Sequence, residues 1–255
     1  MLKGAIKDFY VTLLIGDADV LTDIFAGEPV VNTPLHGEVK GTQAFKQFVA
    51  DQQAWLKQHQ AEPELLALTA TDERIVAEFV LYLQREDGTI DLPVSIAADL
   101  ANGGIAAIRV YHSTWPLTGD HVIRPPILEP VEGLEEPEII QKYMAGIAKP
   151  DTGAVLALFA DGGYVREPSG SKYKYVGPDG LKTFYSSALS NGGISLRHCT
   201  ATFDGTRVAV EFICDGWGPV KFEPQAGMAV YELTDSGQLL AARIYDDVSP
   251  PSETA

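Results

Sequence analysis

An α+β fold written twice is what this sequence predicts, and three observations predict it. The phrase Arg243-Ile244-Tyr245 near the C-terminus repeats Arg109-Val110-Tyr111, 134 residues earlier. Each follows a turn and an apolar run, Ser236-Gly237-Gln238-Leu239-Leu240-Ala241-Ala242 in one case and Asn102-Gly103-Gly104-Ile105-Ala106-Ala107-Ile108 in the other. A period of that length is a whole small domain. Four further anchors keep the same order. Val155-Leu156-Ala157-Leu158-Phe159-Ala160 falls on Leu21-Thr22-Asp23-Ile24-Phe25-Ala26, Pro168 on Pro34, Gly177 on Gly41, and Arg207-Val208-Ala209-Val210-Glu211-Phe212 on Arg74-Ile75-Val76-Ala77-Glu78-Phe79. Within each copy, helical periodicity comes first and strand-like runs follow, the order of an α+β domain.

The first copy opens with Ile6, Phe9, Tyr10, Leu13 and Leu14 on one stripe, which predicts an amphipathic helix over Ala5 to Leu14 ended by Gly16-Asp17. A second short helix follows over Asp19 to Phe25, closed by Gly27. Pro29 to Pro34 reads as extended. Thr42 is a plausible N-cap for a third helix whose face is Phe45, Phe48, Val49, Gln52, Trp55 and Leu56. Four runs, Glu64 to Thr71, Arg74 to Gln84, Leu92 to Leu100 and Ile105 to Thr114, are strand-like and parted by Thr71-Asp72-Glu73, Glu86-Asp87-Gly88 and Ala101-Asn102-Gly103-Gly104. They are expected to form a curved antiparallel sheet. Prolines 125, 126, 130 and 137 mark an extended, glutamate-rich linker. The expected domains are therefore 1–123 and 138–249, with the linker at 124–137 and a tail at 250–255.

The chain has 255 residues, 45% of them apolar, enough for a core in each half. Its net charge of −16 is shared evenly between the halves. An even acidic coat argues against nucleic acid and anionic membrane as partners, because both need a basic footprint. Met1 to Asp8 holds no apolar core for a secretory signal, and no run reaches the ~18 apolar residues of a membrane span, so the expected location is cytoplasmic. Cys199 and Cys214 read as small buried hydrophobes, a disulfide between them being the minor reading. No spacing among the five histidines suggests a metal site.

Tyr143 through Gly170, centred on Phe159-Ala160-Asp161-Gly162-Gly163-Tyr164-Val165-Arg166-Glu167-Pro168-Ser169-Gly170, resembles the superfamily of nuclear transport factor 2, ketosteroid isomerase and the SnoaL-like polyketide cyclases. Asp23 to Pro34 carries the same skeleton in the first half, and Tyr111-His112-Ser113-Thr114-Trp115-Pro116 is similar to the close of SnoaL-like proteins. The resemblance implies tandem cone-shaped α+β barrels, each with three helices on a strongly curved sheet, arranged as an intrachain pseudo-dimer that could pair further as a homodimer. It implies an apolar pocket for a small hydrophobic or polycyclic molecule, with no cofactor and no metal.

In ketosteroid isomerase a carboxylate beside the proline moves the proton, and a first-helix tyrosine and a protonated aspartate donate to the oxyanion. The resemblance places Glu167 in the base position and Tyr143 in the tyrosine position; the third position falls near Ala229, beside Met228, and has no acid. Phe184, Trp217 and Met228 are further candidates for binding a ligand in the second half. In the first half Thr33 and Phe9 stand at the base and tyrosine positions, so a pocket there would rely on Asn32, His36, Tyr82 or His112. A two-residue hairpin at Asp204-Gly205 would set His198 opposite Glu211, a carboxylate orienting an imidazole, which makes His198 a third catalytic candidate. Asp246 and Asp247 read as solvated acids at a strand end. Two functions follow: cofactor-free proton transfer of the isomerase, cyclase or dehydratase kind in the second half, or a ligand-binding or interaction module without chemistry.

Overall fold

The computed structural model describes residues 2–86 and 88–249; the expected tail at 250–255 and Asp87 of the second turn lie outside the described residues. The first helical stretch is divided at Asp8 into α1 (Leu2–Lys7) and α2 (Phe9–Ile15), followed by α3 (Ala18–Asp23). Gly16 caps α2 in the left-handed conformation, at φ 77°, where its amide returns to Thr12. Strands β1 (Val30–Thr33) and β2 (Gly37–Lys40) form a hairpin ahead of α4 (Thr42–Gln58), and β3 (Glu62–Ala70), β4 (Arg74–Arg85), β5 (Gly88–Ala101) and β6 (Gly104–Tyr111) complete the half. A short α5 (Trp115–Thr118) ends it.

The second half repeats the series as α6 (Glu138–Ala148), α7 (Thr152–Leu156), β7 (Phe159–Arg166), β8 (Lys174–Val176), α8 (Gly177–Ala188), β9 (Ile194–Phe203), β10 (Arg207–Trp217), β11 (Val220–Leu233) and β12 (Leu239–Tyr245). Each half builds a six-stranded sheet of the same order, β2-β1-β6-β5-β4-β3 and β8-β7-β12-β11-β10-β9. The sheets are open rather than closed barrels. They are also mixed rather than purely antiparallel, because β1 runs parallel to β6 and β7 parallel to β12. The reason is topological. The strand after the opening helices enters each sheet between its hairpin partner and the last strand, and runs in the same direction as the last strand. Bulges at Leu65/Ala67 and Asp99/Leu100, and at Glu211/Phe212 and Cys214/Gly216, bend the long strands.

Side-chain alternation explains why the central strands read as nearly continuous apolar runs: both faces are covered. On β4, Ile75, Ala77 and Phe79 enter the core under the helices of their own half, while Val76 and Glu78 face the other sheet. On β10 the same division sets Val208, Val210 and Phe212 against Ala209 and Glu211. Val76, Ala97, Tyr111, Ala209, Met228, Val230 and Tyr245 form an apolar cluster drawn from both sheets.

Two crossed ion pairs flank this cluster. Arg109 donates through Nε and Nη2 to Glu211 at 2.5 and 2.8 Å, and Arg243 donates likewise to Glu78 at 2.6 and 2.9 Å. Tyr111 and Tyr245 add hydroxyl bonds to the same carboxylates, at 2.8 and 2.6 Å. All four charged residues are nearly inaccessible, Glu78 at 0% and Arg243 at 1% exposure. Planar bidentate pairing offsets the cost of taking these charges out of water. A guanidinium also covers each tyrosine ring. Arg166 lies 5.0 Å from the Tyr245 centroid, and Arg124 lies 4.4 Å from that of Tyr111. The position matching Arg166 in the first half is Asn32, which instead accepts a bond from Arg124 at 2.7 Å. The linker thus supplies the cation that β1 lacks.

The linker is docked rather than free. The Ala226 amide donates to the Arg124 carbonyl, the Val131 amide to the His198 carbonyl, and the Cys199 thiol to the Leu128 carbonyl. Cys199 and Cys214 are both buried and free, as their reading as small hydrophobes expects. Among the described residues no helix is long and apolar enough to cross a membrane.

Candidate functional site

The second half holds a cavity of about 310 Å³, within the size range of small-molecule sites. Tyr143 and Ile147 of α6, Phe184 and Tyr185 of α8, Phe212 and Trp217 of β10, and Ala229 and Tyr231 of β11 line its walls. Trp217 is fixed by its indole N–H, which donates to the Ala188 carbonyl at 2.6 Å. Trp115 and His121, which belong to the end of the first half, also line the cavity, and Trp115 meets Tyr173 edge-on there.

Two carboxylic acids reach this apolar space. Glu167 follows β7, and burial raises its pKa, opposed by a hydrogen bond from the Tyr175 hydroxyl. Asp246 follows β12, and burial pushes its pKa up to about 7; the Val248 amide at 3.4 Å opposes the shift, while the charges of Asp247 and Glu167 add to it. A carboxyl group in apolar surroundings favours its neutral form, and a second acid nearby strengthens the preference. Burial thus acts on both acids in the same direction, with the larger shift on Asp246.

Tyrosines furnish the remaining polar atoms. The hydroxyls of Tyr143 and Tyr185 share a hydrogen bond of 2.9 Å, and Tyr231 packs edge-on against Tyr143 with centroids 5.2 Å apart. Burial pushes the Tyr143 hydroxyl up to about 12, the bond from Tyr185 working against it. Two hydroxyls joined by one bond leave one hydrogen to donate elsewhere.

The structure brings together Glu167, Tyr143, Phe184 and Trp217, and separates the other expected residues of this half from them. Met228 is directed away, into the cluster between the sheets, where its sulfur accepts from Ser95 at 3.1 Å. It neighbours the cavity residue Ala229, and adjacent strand residues face opposite ways. His198 stands opposite Phe212, not Glu211, and its Nδ1 pairs with Glu136 of the linker. The hairpin turn is wider than two residues, because the Asp204 carboxylate accepts from the Thr206 and Arg207 amides, and the bulge at Glu211/Phe212 shifts the register again. Glu211 serves the ion pair with Arg109 instead.

Asp246 and Asp247 are not solvated. Asp246 lines the cavity with Ile244 and Val248 at two-residue spacing, whereas Asp247 points to the first half, 5% exposed. The signal was available: extending the alternation one step beyond Ile244 turns Asp246 inward.

The first half has its own cavity of about 310 Å³, lined among others by Tyr10, Trp55, Leu81, Val94 and His112, with His36 exposed and packed edge-on against Phe48. Burial pushes the His112 imidazole down to about 4, and its Nδ1 donates to the Ser113 carbonyl at 3.0 Å, so it is neutral at physiological pH. Asn32 and Tyr82 do not line this cavity. Asn32 is engaged by Arg124, and the Tyr82 hydroxyl donates to Glu64 at 2.7 Å on the outer part of the sheet. Among the described residues no group of three or more His, Cys, Asp or Glu is placed to hold a metal ion.

Residues 140–241 match the family described as the SnoaL-like domain. Among solved structures, the chain is similar to a ketosteroid isomerase-like protein from Catenulispora acidiphila, at 18% identity over 46% of this chain and 90% of that one, with a TM-score of 0.39. It is also similar to the Δ5-3-ketosteroid isomerase from Mycobacterium sp., at 20% identity over 42% and 89% with a TM-score of 0.39. An LEH-like epoxide hydrolase from M. tuberculosis shows 19% identity over 44% and 83%, with a TM-score of 0.38. No curated protein matches the chain.

Proposed function

We propose that the second half, whose residues 140–241 match the SnoaL-like domain family, is a cofactor-free proton-transfer catalyst for a small, mainly apolar carbonyl compound. One observation carries this reading: Glu167 and Asp246 line a single apolar cavity, where burial pushes the Asp246 carboxyl up to about 7. Pairs of acids with separated pKa values divide the roles of base and acid. Ionised Glu167 removes a proton from the carbon next to the carbonyl. Protonated Asp246, with the free hydroxyl hydrogen of the Tyr143 and Tyr185 pair, donates to the oxygen on which negative charge develops. Return of the proton from Glu167 to another carbon, with the oxygen's proton going back to Asp246, completes an isomerisation; in a ring closure the enolate carbon attacks a second carbonyl and the proton held by Glu167 passes to the new alkoxide.

The first half acts in this scheme as a scaffold. The crossed Arg109–Glu211 and Arg243–Glu78 pairs support reading the halves as an intrachain pseudo-dimer, with domains at 1–123 and 138–249.

Deuterium uptake at the α-carbon of a cyclic ketone in heavy water, followed by NMR, tests the proposal. The protein should accelerate exchange, and E167Q should slow it by about 10²- to 10⁴-fold, the usual worth of a general base. Exchange no faster than in buffer would leave a binding module without chemistry, and accelerated exchange undiminished in E167Q would remove Glu167 as the base.

A further inference from the structure

Beside the cavity lies an arrangement that the Glu167 and Asp246 pair does not use. Asp247 is buried and accepts four hydrogen bonds, from Ser113 Oγ at 2.6 Å, Thr114 Oγ1, the Val122 amide at 2.8 Å and His121 Nδ1 at 3.0 Å. Three of these donors do not involve the imidazole, and together they hold Asp247 ionised against the effect of its burial. An ionised carboxylate only accepts, so in the neutral ring the proton sits on Nδ1 and the lone pair on Nε2. His121 Nε2 has no hydrogen-bond partner among the described residues. The ring borders the cavity and lies nearly parallel to Trp115, with centroids 6.3 Å apart and planes inclined at 24°. Its position is thus set twice, by a carboxylate at one nitrogen and by an aromatic face beside it.

We propose that His121, oriented by Asp247, contacts the ligand in the second-half cavity and accepts a hydrogen bond from a hydroxyl group of the bound molecule. The ligand class that follows is an apolar ring system bearing a phenolic or enolic hydroxyl besides its reacting carbonyl. This rests on the reading of the second-half cavity as the ligand site. It adds that the site is incomplete without the first half, which supplies His121 and Trp115 while the second half supplies Asp247 and Tyr173.

The apolar cavity walls cannot favour a hydroxyl over its methyl ether, whereas an oriented acceptor can. The test is calorimetric titration of the full chain with a naphthol and with its methyl ether. A single neutral hydrogen bond predicts about three- to tenfold tighter binding of the naphthol. In H121F, which keeps a ring beside Trp115, the two affinities should agree within about twofold, with that of the ether unchanged. His121→Leu is read in the same way. Failure of the wild type to bind either probe, equal affinities in the wild type, or a naphthol preference that survives in both variants overturns the proposal. Loss of ether binding in both variants also overturns it, since the ring would then be a structural plug. The His121 contact is read by the naphthol preference and proton transfer by deuterium exchange, so either idea can fail while the other stands.

Discussion

Replacing Asp246 by Asn should stabilise the protein in a manner that depends steeply on pH. The Asp246 pKa rises from 3.8 to about 7 on folding, chiefly through burial. Between those values the folded chain holds a proton that the unfolded chain has released, so the stability of the wild type falls as pH rises through this window. A shift of about three units corresponds to about 4 kcal/mol, fully lost only above pH ~7. Asparagine is neutral throughout, has nearly the same shape, and can still accept from the Val248 amide. Urea unfolding at pH ~3.5 should therefore give closely similar free energies for D246N and wild type. At pH ~8 the variant should be more stable, by up to about 4 kcal/mol, with roughly half that difference near pH 5.4. Water entering the cavity would reduce the amplitude without changing its sign. A difference that stays constant across this range, or grows toward acid, would refute the placement of Asp246 in an apolar wall.

The same two acids predict a bell-shaped rate profile for deuterium exchange, rising as Glu167 ionises and falling with a midpoint of about 7 as Asp246 loses its proton; a rate still climbing at pH ~8.5 would contradict the assignment of Asp246 as acid. Substituting Glu78 by Ala leaves Arg243 buried without its bidentate partner, and a loss of about 3–5 kcal/mol is expected in urea unfolding. A loss below about 1 kcal/mol would mean that the pair is solvated in solution. A Cβ added at Gly193 would lie 2.1 Å from the Ala148 carbonyl oxygen, so G193A should lower the thermal midpoint by several degrees. An unchanged midpoint would show that α6 and β9 can separate there at little cost.

The duplication, the α+β order and the helix faces were legible because they depend on local periodicity. The stripe of Phe45, Phe48, Val49 and Leu56 is buried on α4 as its spacing predicts. What depended on register was not legible. The turn chemistry of Asp204 and the bulge beside Phe212 moved His198 away from Glu211, and neither is marked by a distinctive residue pattern. Met228 and Asp246 differ from these, since alternation counted from Ala229 and Ile244 was enough to place them: one residue step along a strand exchanges cavity for interface. The role of Glu78 and Glu211 was hidden for a different reason. A charged residue inside an apolar strand has meaning only when its partner is known, and both partners lie in the other half of the chain, more than 100 residues away in sequence.

The bond from Ser113 to Asp247 joins two positions that correspond in the repeat, 134 residues apart. A copy of the second half paired with its own kind would bring two Asp247 carboxylates to this point, each deprived of the hydroxyl donors it now has. Two first halves would place serine against serine and leave His121 without an anion. Only the mixed pairing satisfies both sides, so the contact selects unlike halves and rejects like ones. A linker that keeps the halves at high effective concentration reinforces that choice. Tandem fusion thereby frees each half from having to recognise itself, and one can lose its acids while the other gains them.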